Sequence, residues 1–186
     1  MADASLQWRD SPSGYGFVTR LLHWSMAALF AWQFATAILH LLDDDSGVVD
    51  TIWWSHRATG FLLLLLVFLR GGWGIANLRR RPAHRAGVLA LAANLGHLTI
   101  YALMILVPLL ALARAYATGR GFTWFGVEVI AATGAELSLL KAVTNSLHGP
   151  LGWLLLALIF GHVAMSLVHH FIFRDGTLLR MARGGT

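Results

Sequence analysis

The sequence predicts an all-α integral membrane protein, a four-helix bundle, and three observations carry that expectation. Of 186 residues, 57% are hydrophobic and 12% charged, with a mean hydropathy of +0.64. That is too apolar for an ordinary water-soluble domain. The apolar residues gather into four runs, each long enough to cross a bilayer. Histidines lie inside those runs, where an ionisable side chain is costly and marks a functional site by default. A single domain over residues 1–186 is expected, with helices at about 17–42, 51–74, 87–116 and 147–173.

The chain opens with a polar, turn-rich tail that includes Asp10, Ser11, Pro12, Ser13 and Gly14. It does not read as a signal peptide, because the first apolar run starts too late and is too long. The first helix carries Arg20 and His23 in its opening turns, Trp24 and Trp32 along its length and His40 near its far end. An acidic loop with Asp43, Asp44, Asp45 and Asp50 follows, free of Lys and Arg. The second helix is led by Trp53, Trp54, His56 and Arg57 and continues as nearly unbroken Leu, Phe and Val. Arg79, Arg80, Arg81 and Arg85 then cluster around Pro82, a helix breaker.

The third helix contains His97, Tyr101 and Pro108, and the proline predicts a kink. Residues 117–145 are less apolar, with four Gly and the aromatics Phe122, Trp124 and Phe125, which predicts a structured extramembrane loop with a short interfacial helix. Arg57 and Lys141 on that side are candidates for attracting a small anion, opposed by the neighbouring aspartates. The fourth helix, on which the chain is centred, holds His148, His162, His169 and His170, and a basic tail follows it.

Charge sets the orientation. Ten of the 14 Lys and Arg fall on the side of the termini and four on the other, which also holds six of the nine acids. The positive-inside rule then places both termini and the arginine loop in the cytoplasm. This asymmetry accounts for the formal charge of +5 without nucleic acid as a partner, since no basic stripe runs along a soluble face.

With that topology the histidines sort by depth. His56 and His148 each stand near the outer end of a helix, while His23 and His162 lie in the inner half. His148 and His162 are 14 residues apart, about 21 Å of rise and about 40° short of four full turns, so they share a face. Two neutral imidazoles from facing helices hold a haem as axial ligands. The absence of Cys excludes disulfides, iron-sulfur clusters and covalently attached c-type haem. Any haem here is therefore noncovalent and of b type, and the pairing predicts two such bis-histidine centres. Gly60, Gly149, Gly152 and Gly161 are placed to let a flat macrocycle approach the backbone.

Other residues stay open as alternatives. His97 lies at an inner depth where it competes with His23 or His162 for the inner iron, or else bonds a propionate or quinone. His169 competes with His162 by depth alone. His40, His84 and His170 are expected at the interface or in solvent, and the arginine cluster is read mainly as a topology signal, with Arg20, Arg79 or Arg85 as an alternative partner of a propionate or an anionic lipid. A di-iron or zinc bundle needs carboxylates within the helices, and the four predicted spans contain none. A transporter is disfavoured because the sequence has no internal repeat.

Several motifs together resemble the bacterial cytochrome b561 family of four-helix, two-haem membrane proteins. They are Arg20-Leu21-Leu22-His23-Trp24, Trp54-Ser55-His56-Arg57, Gly96-His97-Leu98-Thr99-Ile100-Tyr101, and the ending His169-His170-Phe171 with Arg174-Asp175-Gly176-Thr177-Leu178-Leu179-Arg180-Met181. The resemblance spans nearly the whole chain. It implies haem ligands at His23, His56, His148 and His162, a place in the bacterial inner membrane, and electron exchange with ubiquinone. It further implies superoxide or a periplasmic redox protein as the outer donor, and so an oxidoreductase activity. Related four-helix proteins anchor soluble dehydrogenases or hydrogenases, which is the alternative role.

Overall fold

The computed structural model describes residues 7–43, 47–82 and 87–184. Its elements are α1 (Phe17–Leu42), α2 (Gly47–Ala76), a single 3-10 turn at Leu78–Arg80, α3 (Val88–Ala117), strands β1 (Phe122–Trp124) and β2 (Val127–Ile130), α4 (Ser138–Val168) and α5 (Thr177–Ala182). A π-helical turn, His169–Phe173, continues α4 before α5. Four of the helices are long and apolar enough to cross a membrane. In lipid the backbone must satisfy its own hydrogen bonds, and a helix does so within one segment.

Helices α1 and α2 pack along each other, as do α3 and α4, and the two pairs join chiefly through α2 and α3. The side where α1 faces α4 is packed more loosely. The tightest layer lies at mid-height: Met26, Leu63, Leu64, Val67, Leu103, Met104 and Leu155, none more than 6% exposed. Leu155 sits seven residues from His148 and seven from His162, about 10 Å along the axis in each direction. An apolar layer thus separates two histidine levels. Because lipid is as apolar as Leu, close packing and not water exclusion holds such a layer together.

The membrane ends of the chain are tied down by polar contacts. The Asp10 side chain is fully buried; its Oδ1 accepts from Gly16 N at 2.9 Å and Thr19 Oγ1 at 2.6 Å, and its Oδ2 from Arg81 Nε at 3.2 Å. Trp73 Nε1 donates to Thr19 Oγ1 at 2.8 Å, adding α2 to the knot. A Cβ at Gly16 would lie 2.4 Å from the backbone carbon of Arg9, so only glycine lets the tail fold back onto α1. At the other end of the sequence Trp24 Nε1 donates to Met181 O at 3.2 Å, docking α5 on α1.

The structure departs from the sequence reading in two places. Helix α4 begins at Ser138, where the hydropathy starts the helix at Leu147, so its first turns project beyond the apolar run. Residues 122–130 form an antiparallel hairpin, paired Phe122↔Ile130, Thr123↔Glu128 and Trp124↔Val127, in place of the expected short interfacial helix. Its tight turn places Phe125 at φ 46 and Gly126 at φ 85. Two consecutive residues at positive φ match the strand twist, but Phe is an unusual occupant and hid the turn in the sequence. Pro108 sits inside α3 without ending it. Asp44, Asp45, His84 and Arg85 lie outside the described residues.

Candidate functional site

The site at the hairpin end of the bundle, the outer one in the topology the charges predict, is a cavity of about 1110 Å³ between the helix pairs, lined by His56, His148, Gly60, Gly149 and Gly152 among others. Ligand sites span about 300–1,000 Å³, so this space accommodates a large cofactor. Each histidine is aimed by a bond from its Nδ1. Thr36, fully buried on α1, donates its hydroxyl proton to Gln33 O at 2.8 Å and so accepts from His56 Nδ1 at 3.1 Å. His148 Nδ1 donates to the backbone carbonyl of Val107 on α3 at 3.0 Å. Both bonds place the proton on Nδ1 and leave Nε2 with its lone pair, the state a metal-ligating imidazole needs. The two supporting groups come from different helices, one hydroxyl and one carbonyl.

The faces beside these histidines are flat and open. A Cβ built on Gly149 or Gly152 meets nothing within 4 Å, whereas one on Gly60 lies 3.1 Å from the Gln33 amide. Trp53 stacks on His56 with centroids 4.6 Å apart and on His40 at 3.9 Å, both at an interplanar angle of 20°. His40, expected at the interface, therefore lines the cavity as the outermost ring of a three-ring stack. The hairpin closes the outer rim: Trp124 Nε1 donates to Ala58 O at 3.1 Å, and Arg57 lies 5.5 Å over the Phe122 ring. Arg57, Arg114 and Arg120 all line the cavity. Lys141 instead pairs with Glu136 at 2.8 Å, so its charge is locally balanced.

The inner site brings His23 of α1, His97 of α3 and His162 of α4 together. The ring centroids of His23 and His162 are 6.3 Å apart and those of His97 and His162 5.2 Å. Two imidazoles on opposite sides of one metal, each bound at about 2.0–2.1 Å, have ring centres about 6–6.5 Å apart. The first pair has that separation and the second is too close for it. Gly161, next to His162, has open space in front of its α-carbon. His169 faces elsewhere, its Nδ1 2.7 Å from Asp175 Oδ2. Asp175 also caps α5 through Thr177 N at 3.0 Å. Burial alone would raise the Asp175 carboxyl, but the bonds from His169 and Thr177 outweigh it and hold it at about 2.

One charged group at this level escaped the sequence reading. Arg70, counted there only toward topology, lies within a membrane-spanning segment with its guanidinium 5.6 Å over the Tyr101 ring. A lone cation closing an apolar run was its signal. Thr36 and the Val107 carbonyl had no signal, one being an ordinary hydroxyl and the other backbone.

Residues 14–184 match the family described as prokaryotic cytochrome b561. The chain belongs to that family. Cytochrome b561 membership implies haem b, and the histidines, glycines and cavity described above suit a flat, noncovalent macrocycle. Among similar proteins, "Cytochrome b561 homolog 2" of Escherichia coli (strain K12) is 28% identical over 178 residues, covering 95% of each chain. "Cytochrome b561 homolog 1" of the same organism is 32% identical over 93 residues, 48% of this chain and 51% of its own. "Probable superoxide oxidase CybB" of Yersinia pestis is 33% identical over 89 residues, 48% of this chain and 50% of its own. The chain is thus a cytochrome b561-family membrane protein with four candidate spans.

Proposed function

We propose that this b561 cytochrome holds two b haems, the outer on His56 and His148 and the inner on His23 and His162, and carries electrons between a periplasmic donor and ubiquinone. The observation that carries the reading is the pair of imidazoles at each of two levels: His56 and His148 with Nε2 left free, and His23 and His162 at 6.3 Å. When bound, such haems would supply one-electron redox chemistry, held by His56 with His148 and by His23 with His162. The chain's own residues do the rest. Thr36 and Val107 fix the imidazole tautomers, and the glycines clear room for the ring plane. The layer around Leu155 keeps water and ions out of the space between the levels.

The termini are assigned to the cytoplasm from the charge asymmetry, which puts the cavity rim and its hairpin on the periplasmic side. Arg57, Arg114 and Arg120 at that rim favour a small anionic donor, and superoxide is the donor named for the Yersinia relative. A second reading, an anchor for a soluble dehydrogenase or hydrogenase, draws on the hairpin, where Phe125 is 73% and Val127 62% exposed.

The test is a reduced-minus-oxidised spectrum of the purified protein with haem per chain from a pyridine haemochrome assay. Two low-spin b haems per chain are expected. One haem or none overturns the ligand assignment. Stopped-flow reduction by superoxide, against co-purification of a soluble redox subunit, separates the two roles.

A further inference from the structure

Among the described residues Arg70 is a cation without a counter-ion. It stands in α2 inside the candidate span Val49–Ala76, where charge is costly unless paired. Its electrostatic neighbours are Tyr101, Arg81 and Tyr15, none of them a carboxylate. Arg81 is itself committed to Asp10, whose second oxygen is filled by Gly16 and Thr19. Among the described residues no carboxylate pairs with Arg70. The Tyr101 ring below it offers a cation-π contact, which offsets only part of a desolvated charge.

The Tyr101 ring that Arg70 lies over is about one turn along α3 from His97, whose ring is 5.2 Å from that of His162, so the guanidinium lies at the level of the inner histidines. A half-buried guanidinium with five donors and no carboxylate partner among the described residues is matched by a ligand that brings a carboxylate to that place. A b haem carries two propionate carboxylates on an otherwise apolar ring.

From this juxtaposition we infer that Arg70 is the counter-ion of a propionate of the inner haem and holds that haem's reduction potential up. The inference rests on the two-haem reading above. Removing the cation leaves a negative carboxylate next to the iron, and an added electron is then less favourable.

The experiment is an optical redox titration of the wild-type holoprotein and of Arg70→Gln and Arg70→Met, the second keeping the apolar stem for packing. His162→Ala identifies which spectral component is the inner haem. Both neutral variants are expected to keep the outer haem unchanged and to shift the inner haem's reduction equilibrium at least tenfold toward the oxidised form, 59 mV for a one-electron couple. Loss of the inner haem in both, with retention in Arg70→Lys, supports the same pairing. An inner-haem reduction equilibrium shifted less than tenfold in either folded variant overturns it, as does equal loss in Arg70→Lys. Fewer than two haems in the wild type overturns the two-haem reading itself, a result visible before any Arg70 variant is made.

Discussion

The hydroxyl of Thr36 on α1 lies 3.1 Å from Nδ1 of His56 on α2, and the same hydroxyl donates to Gln33 O at 2.8 Å. One short side chain thereby sets the tautomer and orientation of a candidate iron ligand on the neighbouring helix. Thr36→Val keeps the shape and removes the acceptor. Partners of ligating histidines are worth about 10–100-fold in metal affinity, so the outer haem should be lost selectively. Haem titration of the variant at graded detergent dilution checks this, with the inner spectrum as control.

The rings of His162 and His23 lie 6.3 Å apart, with His97 only 5.2 Å from His162. His162→Ala should lose the inner haem while the outer spectrum survives. Under the proposed pairing, His97→Ala should leave haem stoichiometry at two. Stoichiometry falling to one in the His97 variant would reassign the inner ligand.

Leu155 is 2% exposed in the layer between the two levels. Truncation of a buried Leu to Ala costs about 2–5 kcal/mol, through lost contacts and the cavity left behind. Leu155→Ala should therefore lower the melting temperature of the holoprotein without changing its haem count, measured by following the haem absorbance during heating.

Asp10 joins the tail, α1 and Arg81 through one carboxylate with no exposed side-chain surface. Asp10→Ala strands the Gly16 amide and releases Arg81, whose side chain keeps 29% exposure and is thus partly solvated. The cost expected is about 1–3 kcal/mol, the range for leaving a buried polar partner unsatisfied. Hydrogen exchange should rise in the first turn of α1 before it rises elsewhere.

The Asp175 contacts have a defined pH window. The carboxyl is depressed to about 2 in the folded protein, below the ordinary value of about 3.9. A depressed carboxyl stabilises the fold fully above its unfolded value and loses that contribution as pH falls through the folded one. The difference in thermal stability between wild type and Asp175→Asn should be constant above about pH 5 and shrink between about pH 4 and pH 2. A difference that instead grows on acidification contradicts the assignment.

The sequence by itself determined the membrane class, the four long apolar helices and the spacing of the histidines along them, because these depend on local properties: run length, residue polarity and a fixed rise per residue. His148 and His162 share a face for the same reason. The tertiary structure decided what depends on neighbours from other helices. His97 and His169 could not be ranked by depth, and only packing separates them, one held near His162 and the other bonded to Asp175. Thr36, the Val107 carbonyl and Arg70 acquire meaning only across an interface, since a hydroxyl, a backbone oxygen and an isolated cation become specific through what they face. The hairpin at 122–130 was masked because its turn holds Phe125 at positive φ, against local preference, while contacts distant in sequence, Phe61 with Phe122 and Trp124 at 5.4 and 5.3 Å, hold its first strand.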